Sequence, residues 1–416
     1  MISMQDPTLP SLPLSAIATA LGFILYLCVV RDLRWQRYDA IHKKYQAKFE
    51  AGTLTPVEAQ EVVQLVSMYD MPFLAEQALS FANFKTYAIP TISKLLCETR
   101  QLASEEHVSR RYADTRILAL TWQNCSLSGR SIPTGSSTPT VDPRVSLSIA
   151  RVNWMHAKYK ISNDDFLFTL SLVIFEPVRW TARYGWRELS LLEKHALFVF
   201  WSEVGRRMNI KDIPTSMQEL QAWSEAYEEA HMIPAQTNHT LSKHTTGELL
   251  FPVPRRFGLR QVTEGLTRAL LEDRVRIAMM EPEAPTYAAY LVPFLLRLAA
   301  WTQKHLLLPR LKPFSVVQID LPESSPCGPR LVPTKFTSKP WYKPRRQGHW
   351  VFIDRLLVMV GWHADVPSAA YKSDGYKIHE LGPTRFENDG HEEVFKIAEG
   401  LQGCPISDAW KYGKKS

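Results

Sequence analysis

The sequence predicts an all-α protein, with a single transmembrane helix near the N-terminus followed by a large helical domain. Three observations carry that expectation. An uncharged run lies between Asp6 and Arg31 and is densest from Leu14 to Val30. Helix-start signals recur through the rest of the chain, three of them in capping-box form. No segment sustains the period-two alternation of a half-buried strand.

Leu14 to Val30 is 17 residues, which at about 1.5 Å per residue gives roughly 26 Å of helix, the low end of a bilayer crossing. A cleaved signal peptide would begin with a basic segment, yet the first 13 residues hold Asp6 and no Lys or Arg. The basic residues come afterwards, as Arg31, Arg34, Arg37, Lys43, Lys44 and Lys48 against Asp32 and Asp39. The positive-inside rule keeps that end in the cytosol. Residues 1–13 are therefore expected as a short luminal N-terminus, 14–30 as the anchor, and 31–68 as a basic juxtamembrane segment with the first helix. In this orientation neither glycosylation sequon, Asn124-Cys-Ser or Asn238-His-Thr, meets the luminal enzyme.

Thr55-Pro56-Val57-Glu58 is a capping box with Pro at the first helical position, opening a helix to about Met68. Ser104 with Glu105 and Glu106 places acids at the start of a helix that runs to about Trp122. Ser126 to Asp142, rich in Ser, Thr, Pro and Gly, is a loop. Asp142-Pro143 opens a helix to about Tyr159, and Ser162 or Asn163 starts another that Pro177 is expected to stop. Ser190 with Glu193 and Ser216 with Glu219 form two further capping boxes, the first leading a helix to about Met208. An amphipathic stretch follows Pro254 to near Glu281. Tyr287 to Leu308 is strongly apolar but holds Pro293, Arg297 and Lys304, so a core helix is expected there. A membrane-surface helix is the alternative, as it is for Trp350 to Trp362. Pro309 to about Gly348 is irregular.

A hydrophobic fraction of 45% with 22% charged residues excludes a disordered chain. The net charge of +7 forms no basic stripe interleaved with aromatics, so no nucleic-acid partner is implied. Arg31 to Lys48, six positive against two negative, supplies +4 of it beside the anchor. The five Cys are scattered without a CxxC pair, which argues against a disulfide framework and a cysteine zinc site. GxGxxG, GxxxxGK, the nucleophile elbow and HExxH are all absent, and the 12 His form no i, i+4 pair on a helix.

Two helices have unusual polar content. Arg111, Asp114 and Thr115 stand at i, i+3 and i+4 and are expected on one face, where they fit a surface ion pair as well as a site. His156 lies among Val152, Trp154, Met155 and Tyr159. It fits a satisfied core imidazole as well as the proximal ligand of a haem iron. Spacing leaves both pairs of readings open.

At these residues the chain resembles the fungal ER-bound oxygenase MpaB family, related to the bacterial rubber oxygenase (latex clearing protein). The likeness runs through Phe84-Lys85-Thr86-Tyr87-Ala88-Ile89-Pro90-Thr91-Ile92-Ser93, Arg111-Tyr112-Ala113-Asp114-Thr115, and Ser148-Ile149-Ala150-Arg151 leading to His156. It continues in Glu176-Pro177-Val178-Arg179, Tyr376-Lys377-Ile378, Leu381-Gly382-Pro383 and Gly403-Cys404-Pro405, from roughly Tyr69 almost to the C-terminus. The resemblance implies a globin-like helical core (residues 69–308) with a C-terminal extension (309–416) packed on it. It implies haem b, with His156 in its Met155-His156-Ala157 context as the proximal iron ligand. Arg111 and Thr115 match the first and last members of an Arg, Lys, Thr set beside the haem of the rubber enzyme. Asp114 departs from it, replacing with an acid the amine that can cap the distal iron position. Arg111, Asp114 and Thr115 are then the expected catalytic residues, with Arg111 also toward the haem.

The implied function is an ER-membrane, haem-dependent oxygenase with its body in the cytosol. It would use O2 to cleave or oxidise a prenyl-type C=C bond of a lipophilic terpenoid or meroterpenoid, with any electron donor unspecified. The alternatives are a non-haem or hydroxylating monooxygenase on the same fold, or a non-catalytic membrane-bound terpenoid-binding protein.

Overall fold

The computed structural model describes residues 13–131, 140–253, 258–320, 330–336, 339–407 and 410–411. Helices dominate. The first half holds α1 (Leu14–Glu50), α2 (Pro56–Gln64), α3 (Pro72–Thr86), α4 (Pro90–Thr99), α5 (Val108–Asn124), α6 (Arg144–His156) and α7 (Asn163–Tyr184). The second holds α8 (Leu191–Arg207), α9 (Met217–His231), α10 (Gln236–Leu249), α11 (Leu259–Arg268), α12 (Asp273–Ala278), α13 (Thr286–His305), α14 (Trp350–Met359) and α15 (His391–Gln402). Sheet among the described residues is confined to a two-residue antiparallel ladder, Arg130–Ser131 with Thr140–Val141, and one isolated bridge.

The anchor and the basic segment after it are one continuous helix of 37 residues. Its apolar half is almost wholly exposed and is long and apolar enough to cross a membrane. Its charged half is seated on the body, with Arg34, Ile41 and Tyr45 buried. Residues 1–12 of the expected luminal segment lie outside the described residues.

The core forms where α3 packs on α7 and α2 on α8, with α6 on α15 and α4 on α10 around them. Small residues let these axes approach: Ala78 and Ala82, one turn apart on α3, are fully buried, as are Ala59 on α2 and Ala196 on α8. The three capping boxes form with both reciprocal bonds, at Thr55, Ser190 and Ser216.

Four expectations need correction. Pro177 does not stop its helix, because α7 continues to Tyr184. The lost bond and ring clash cost about 3 kcal/mol, which the packing of α7 against α3, α8 and α9 outweighs. The helix after Ser104 begins at Val108, since Ser104 instead accepts a bond from the Glu106 amide in a preceding turn. The stretch after Pro254 is two helices, α11 and α12, with residues 254–257 outside the described set. The apolar segment from Tyr287 does form a helix, but α13 is no core helix: only Ala288 and Val292 are buried.

Both sequon asparagines are structural. Asn124 donates to Ser315 Oγ (2.9 Å). Asn238, fully buried, accepts from Ser93 and donates to the carbonyls of Ala88, Ile233 and Ala278. A glycan on either would displace these bonds.

Candidate functional site

The site is assembled from α5 and α6, and the C-terminal part of the chain fixes both helices from behind. On α5 a turn of about 100° per residue puts Asp114 roughly 60° to one side of Arg111 and Thr115 roughly 40° to the other. The structure uses that divergence. Arg110 and Asp114 face the C-terminal segment, whereas Arg111 and Thr115 face away from it.

Asp114 is completely buried and bound three ways. It accepts from Tyr342 Oη (2.7 Å) and the Gly382 amide (3.0 Å), and Arg110 Nε stands 3.7 Å from it. Burial pushes its carboxyl up, against the opposing pull of Arg110, Tyr342 and Gly382. The expected shared face of Arg111, Asp114 and Thr115 is thereby split, because Asp114 sides with Arg110 as its i, i+4 partner. Arg110 also binds Thr384 Oγ1 (2.7 Å) and Glu387 (3.0 Å). Asp114→Ala would leave a buried hydroxyl and a buried amide unpaired, at about 1–3 kcal/mol each. Chemical denaturation is expected to show a loss of about 3 kcal/mol, while Asp114→Asn, which keeps an acceptor, loses less. Unchanged stability in both variants would return Asp114 to a chemical role.

Arg111 donates to Thr115 Oγ1, and Thr115 in turn donates to the Arg111 carbonyl (2.7 Å). Among the described residues the Arg111 guanidinium has no carboxylate partner within ion-pair distance. Its field reaches His156 and also Tyr87, whose buried hydroxyl is pushed up to about 12 chiefly by burial.

His156 closes α6. One face of that helix is clamped by the chain after Leu381. Arg151, fully buried, donates to the carbonyls of Leu381 (2.9 Å), Phe386 (2.6 Å) and Asp389 (2.9 Å). Trp154 lies against Gly390, where a Cβ would come within 1.9 Å of the indole and the backbone has φ +71°. Gly382 (φ +118°) meets the Met155 sulfur in the same way. With 151, 154 and 155 committed to the clamp, His156 turns out of it by a further 100° or so and meets Phe166 on α7, ring centroids 5.3 Å apart.

A helix C-terminus ordinarily favours a protonated His. Here burial, followed by the charge of Arg111, wins and brings His156 down to about 4, so the imidazole is neutral at cellular pH. Neither of its ring nitrogens has a hydrogen-bond partner among the described residues. A neutral, partly buried imidazole whose ring nitrogens are not engaged by the protein is what a haem-iron ligand requires, and on this test His156 fits. Three or more His, Cys, Asp or Glu arranged to hold a bare metal ion do not occur among the described residues.

Two cavities adjoin this region. One of about 60 Å³ is lined by Thr115, Tyr87, Tyr112, Leu79 and Leu249 among others. The other, about 720 Å³, opens between α10 and α11 with a charged lining that includes Lys243, Arg260, Glu264 and Arg268. Neither His156 nor Arg111 lines the larger one.

Sequence reasoning passed over a second buried cluster. Lys85, fully buried on α3, pairs with Glu176 (3.3 Å), Glu228 (2.8 Å) and Glu272 (3.1 Å). Arg179 adds a bond to Glu176 (2.7 Å) and Arg183 one to Glu272 (3.1 Å). Burial pulls the Lys85 ammonium down, but its carboxylates more than offset this and the net shift is upward. Lys85, Glu176 and Arg179 all stood in segments that carried the family likeness, which was the available signal. Tyr342 gave none.

A family model described as the catalytic domain of ER-bound oxygenase mpaB/B'/rubber oxygenase matches residues 142–304, a range that includes His156. The chain is 28% identical over 407 residues to ER-bound oxygenase mpaB' of Penicillium brevicompactum, covering 92% of this chain and 91% of that protein. It is 31% identical over 283 residues to ER-bound oxygenase mpaB of Penicillium roqueforti, covering 64% of this chain and 90% of that protein. The mpaB of Penicillium brevicompactum is 31% identical over 248 residues, with 55% and 60% covered.

Proposed function

The chain belongs to the ER-bound oxygenase MpaB and rubber oxygenase family and is an oxygenase, and on that ground we propose a haem-dependent enzyme anchored in the ER membrane by α1. Its substrate is a lipophilic terpenoid or meroterpenoid of secondary metabolism, oxidised or cleaved at a prenyl-type C=C bond. Family membership sets aside the non-catalytic binding protein. The observation that carries the haem reading is His156, neutral and, among the described residues, without a hydrogen-bond partner, within the field of the Arg111 guanidinium, which among those residues has no carboxylate at ion-pair distance.

Haem b, when bound, supplies the dioxygen chemistry. His156 would hold it from the end of α6, in a globin-like setting. Arg111 presents a fixed positive charge that suits either a haem propionate or negative charge developing on oxygen. Thr115 holds the Arg111 side chain in place and, with its proton given to the Arg111 carbonyl, has a lone pair left to accept from a bound water. The position of Asp114 against Tyr342 and Gly382 supports a positioning role, keeping α5 in register with the C-terminal segment. An iron without porphyrin would need further protein ligands near His156, and no such group occurs among the described residues. Cleavage of C=C by one O2 into two carbonyls balances without added electrons, whereas hydroxylation needs two from a donor. The basic residues after Val30 support a single-pass topology with residues 1–13 luminal and residues 69–308 and 309–416 cytosolic.

The test is turnover of a prenylated aromatic under labelled O2 by the haem-loaded full chain. Arg111→Ala is expected to lower the rate by about 10²–10³, as loss of one charge-stabilising donor does, with the haem absorption retained. Two carbonyl products carrying one labelled oxygen each identify cleavage. An inert haem-loaded protein, or Arg111→Ala at the full rate, would overturn the reading.

A further inference from the structure

α13 carries its apolar residues on the side opposite to the one a core helix would use. Tyr287, Leu291, Phe294, Leu298 and Trp301 are all exposed and recur every three or four residues. They form one stripe, about 20 Å long at 1.5 Å per residue. Arg297 and Lys304 stand exposed on the same helix, which contains no acidic residue. Long basic side chains of this kind lay their stems on apolar surface and put their charges among headgroups.

Contacts with α1 set the depth at which the chain leaves the C-terminal end of this helix. Tyr26 donates to the Leu306 carbonyl (2.6 Å) and Arg37 to the Arg310 carbonyl (2.6 Å), with Arg34 bound to the Leu307 carbonyl between them. Tyr26 belongs to the uncharged run and Arg34 and Arg37 to its basic flank. The chain leaving α13 therefore crosses α1 where that helix changes from apolar to charged. Leu307, Leu308 and Leu311 are exposed at this crossing.

We propose that α13 is an in-plane membrane helix, its outward stripe covered by phospholipid acyl chains of the leaflet that α1 leaves. The inference rests on the reading of α1 as a membrane anchor. Continuity with α1 selects lipid as the occupant, because the end of α13 meets α1 at the edge of its apolar run and the exposed Leu307, Leu308 and Leu311 carry apolar surface on from there beside the stripe. A stripe this long left in water would be an unusual apolar patch for a soluble surface.

The experiment places the photoreactive residue p-benzoylphenylalanine in the full chain at Phe294, Leu298 or Trp301. Each protein is reconstituted in phosphatidylcholine vesicles, irradiated and analysed by mass spectrometry. Leu25, exposed on α1, is the reference inside the anchor. Val57 is the reference outside the bilayer, since its neighbour Glu58 pairs with Lys48 near the far end of α1. The expected result is a phospholipid adduct at all three α13 positions, at least tenfold above Val57 and within several-fold of Leu25. Adducts at Leu25 with α13 positions no higher than Val57 would overturn the inference while leaving the anchor intact. Cross-links joining two copies through α13 would overturn it in favour of a dimer face. No adduct at Leu25 would overturn the anchor reading, and this inference with it.

Discussion

His156→Ala is expected to abolish haem binding. The purified full chain, supplied with haem, should show a Soret band and about one haem per chain by pyridine haemochrome, and the variant should show neither. Substitution of a partner that merely orients a metal ligand costs about 10–100-fold in affinity or activity. Removal of the ligand itself should exceed that range, and turnover should fall below detection. The fold has reason to survive, because among the described residues the His156 side chain makes no hydrogen bond, its carbonyl can still accept from the Tyr159 amide in the variant, and Arg151, Trp154 and Met155 retain the clamp on α6. Far-ultraviolet circular dichroism should therefore match the unsubstituted protein. A His156→Ala variant that keeps a full Soret band would end the assignment, as would a well-folded, haem-supplemented parent that shows none.

Lys85→Ala is expected to be the most damaging substitution for stability. It removes the ammonium that pairs directly with three carboxylates across α3, α7, α9 and the turn before α12. Breaking a buried ion pair by deleting one partner costs about 3–5 kcal/mol, because the charge left behind remains buried. Arg179 and Arg183 stay bonded to Glu176 and Glu272, which leaves Glu228 as the principal orphan. Lys85→Met combined with Glu228→Gln should accordingly recover much of the loss, since the pair leaves together. Urea unfolding followed by circular dichroism measures both variants. A cost under about 1 kcal/mol for Lys85→Ala would mean that solvent reaches the cluster.

The difference between these residues shows how far a sequence can be read. Thr55, Ser190 and Ser216 announced their helices because a capping box is complete within four residues, and both of its bonds are made inside that window. Pro72 and Pro90 mark the first turns of α3 and α4 just as locally. The partners of Asp114 were not legible, because Tyr342 and Gly382 lie more than two hundred residues away and nothing in the spacing of α5 distinguishes the Arg110 side from the Arg111 side. Likewise a stripe of Tyr, Leu, Phe and Trp at helical period says that α13 has an apolar face, while its direction depends on what the rest of the fold leaves uncovered. For His156, spacing alone left a core imidazole and an iron ligand open. The likeness of Met155-His156-Ala157 tipped that choice, and the structure adds its low proton affinity and the nearby Arg111 charge.

The unbroken helix from Leu14 to Glu50 also constrains how the enzyme moves. A catalytic head on a loose tether swivels freely and samples water on every side. Here the first helix is a rigid mast continuous with the hull, so heading, tilt and draught are set together by one helical register. With α1 in the membrane as proposed, diffusion would be a glide at fixed attitude, and encounter with the proposed lipophilic substrate would follow its surface density in the lipid and hardly at all its concentration in the surrounding water.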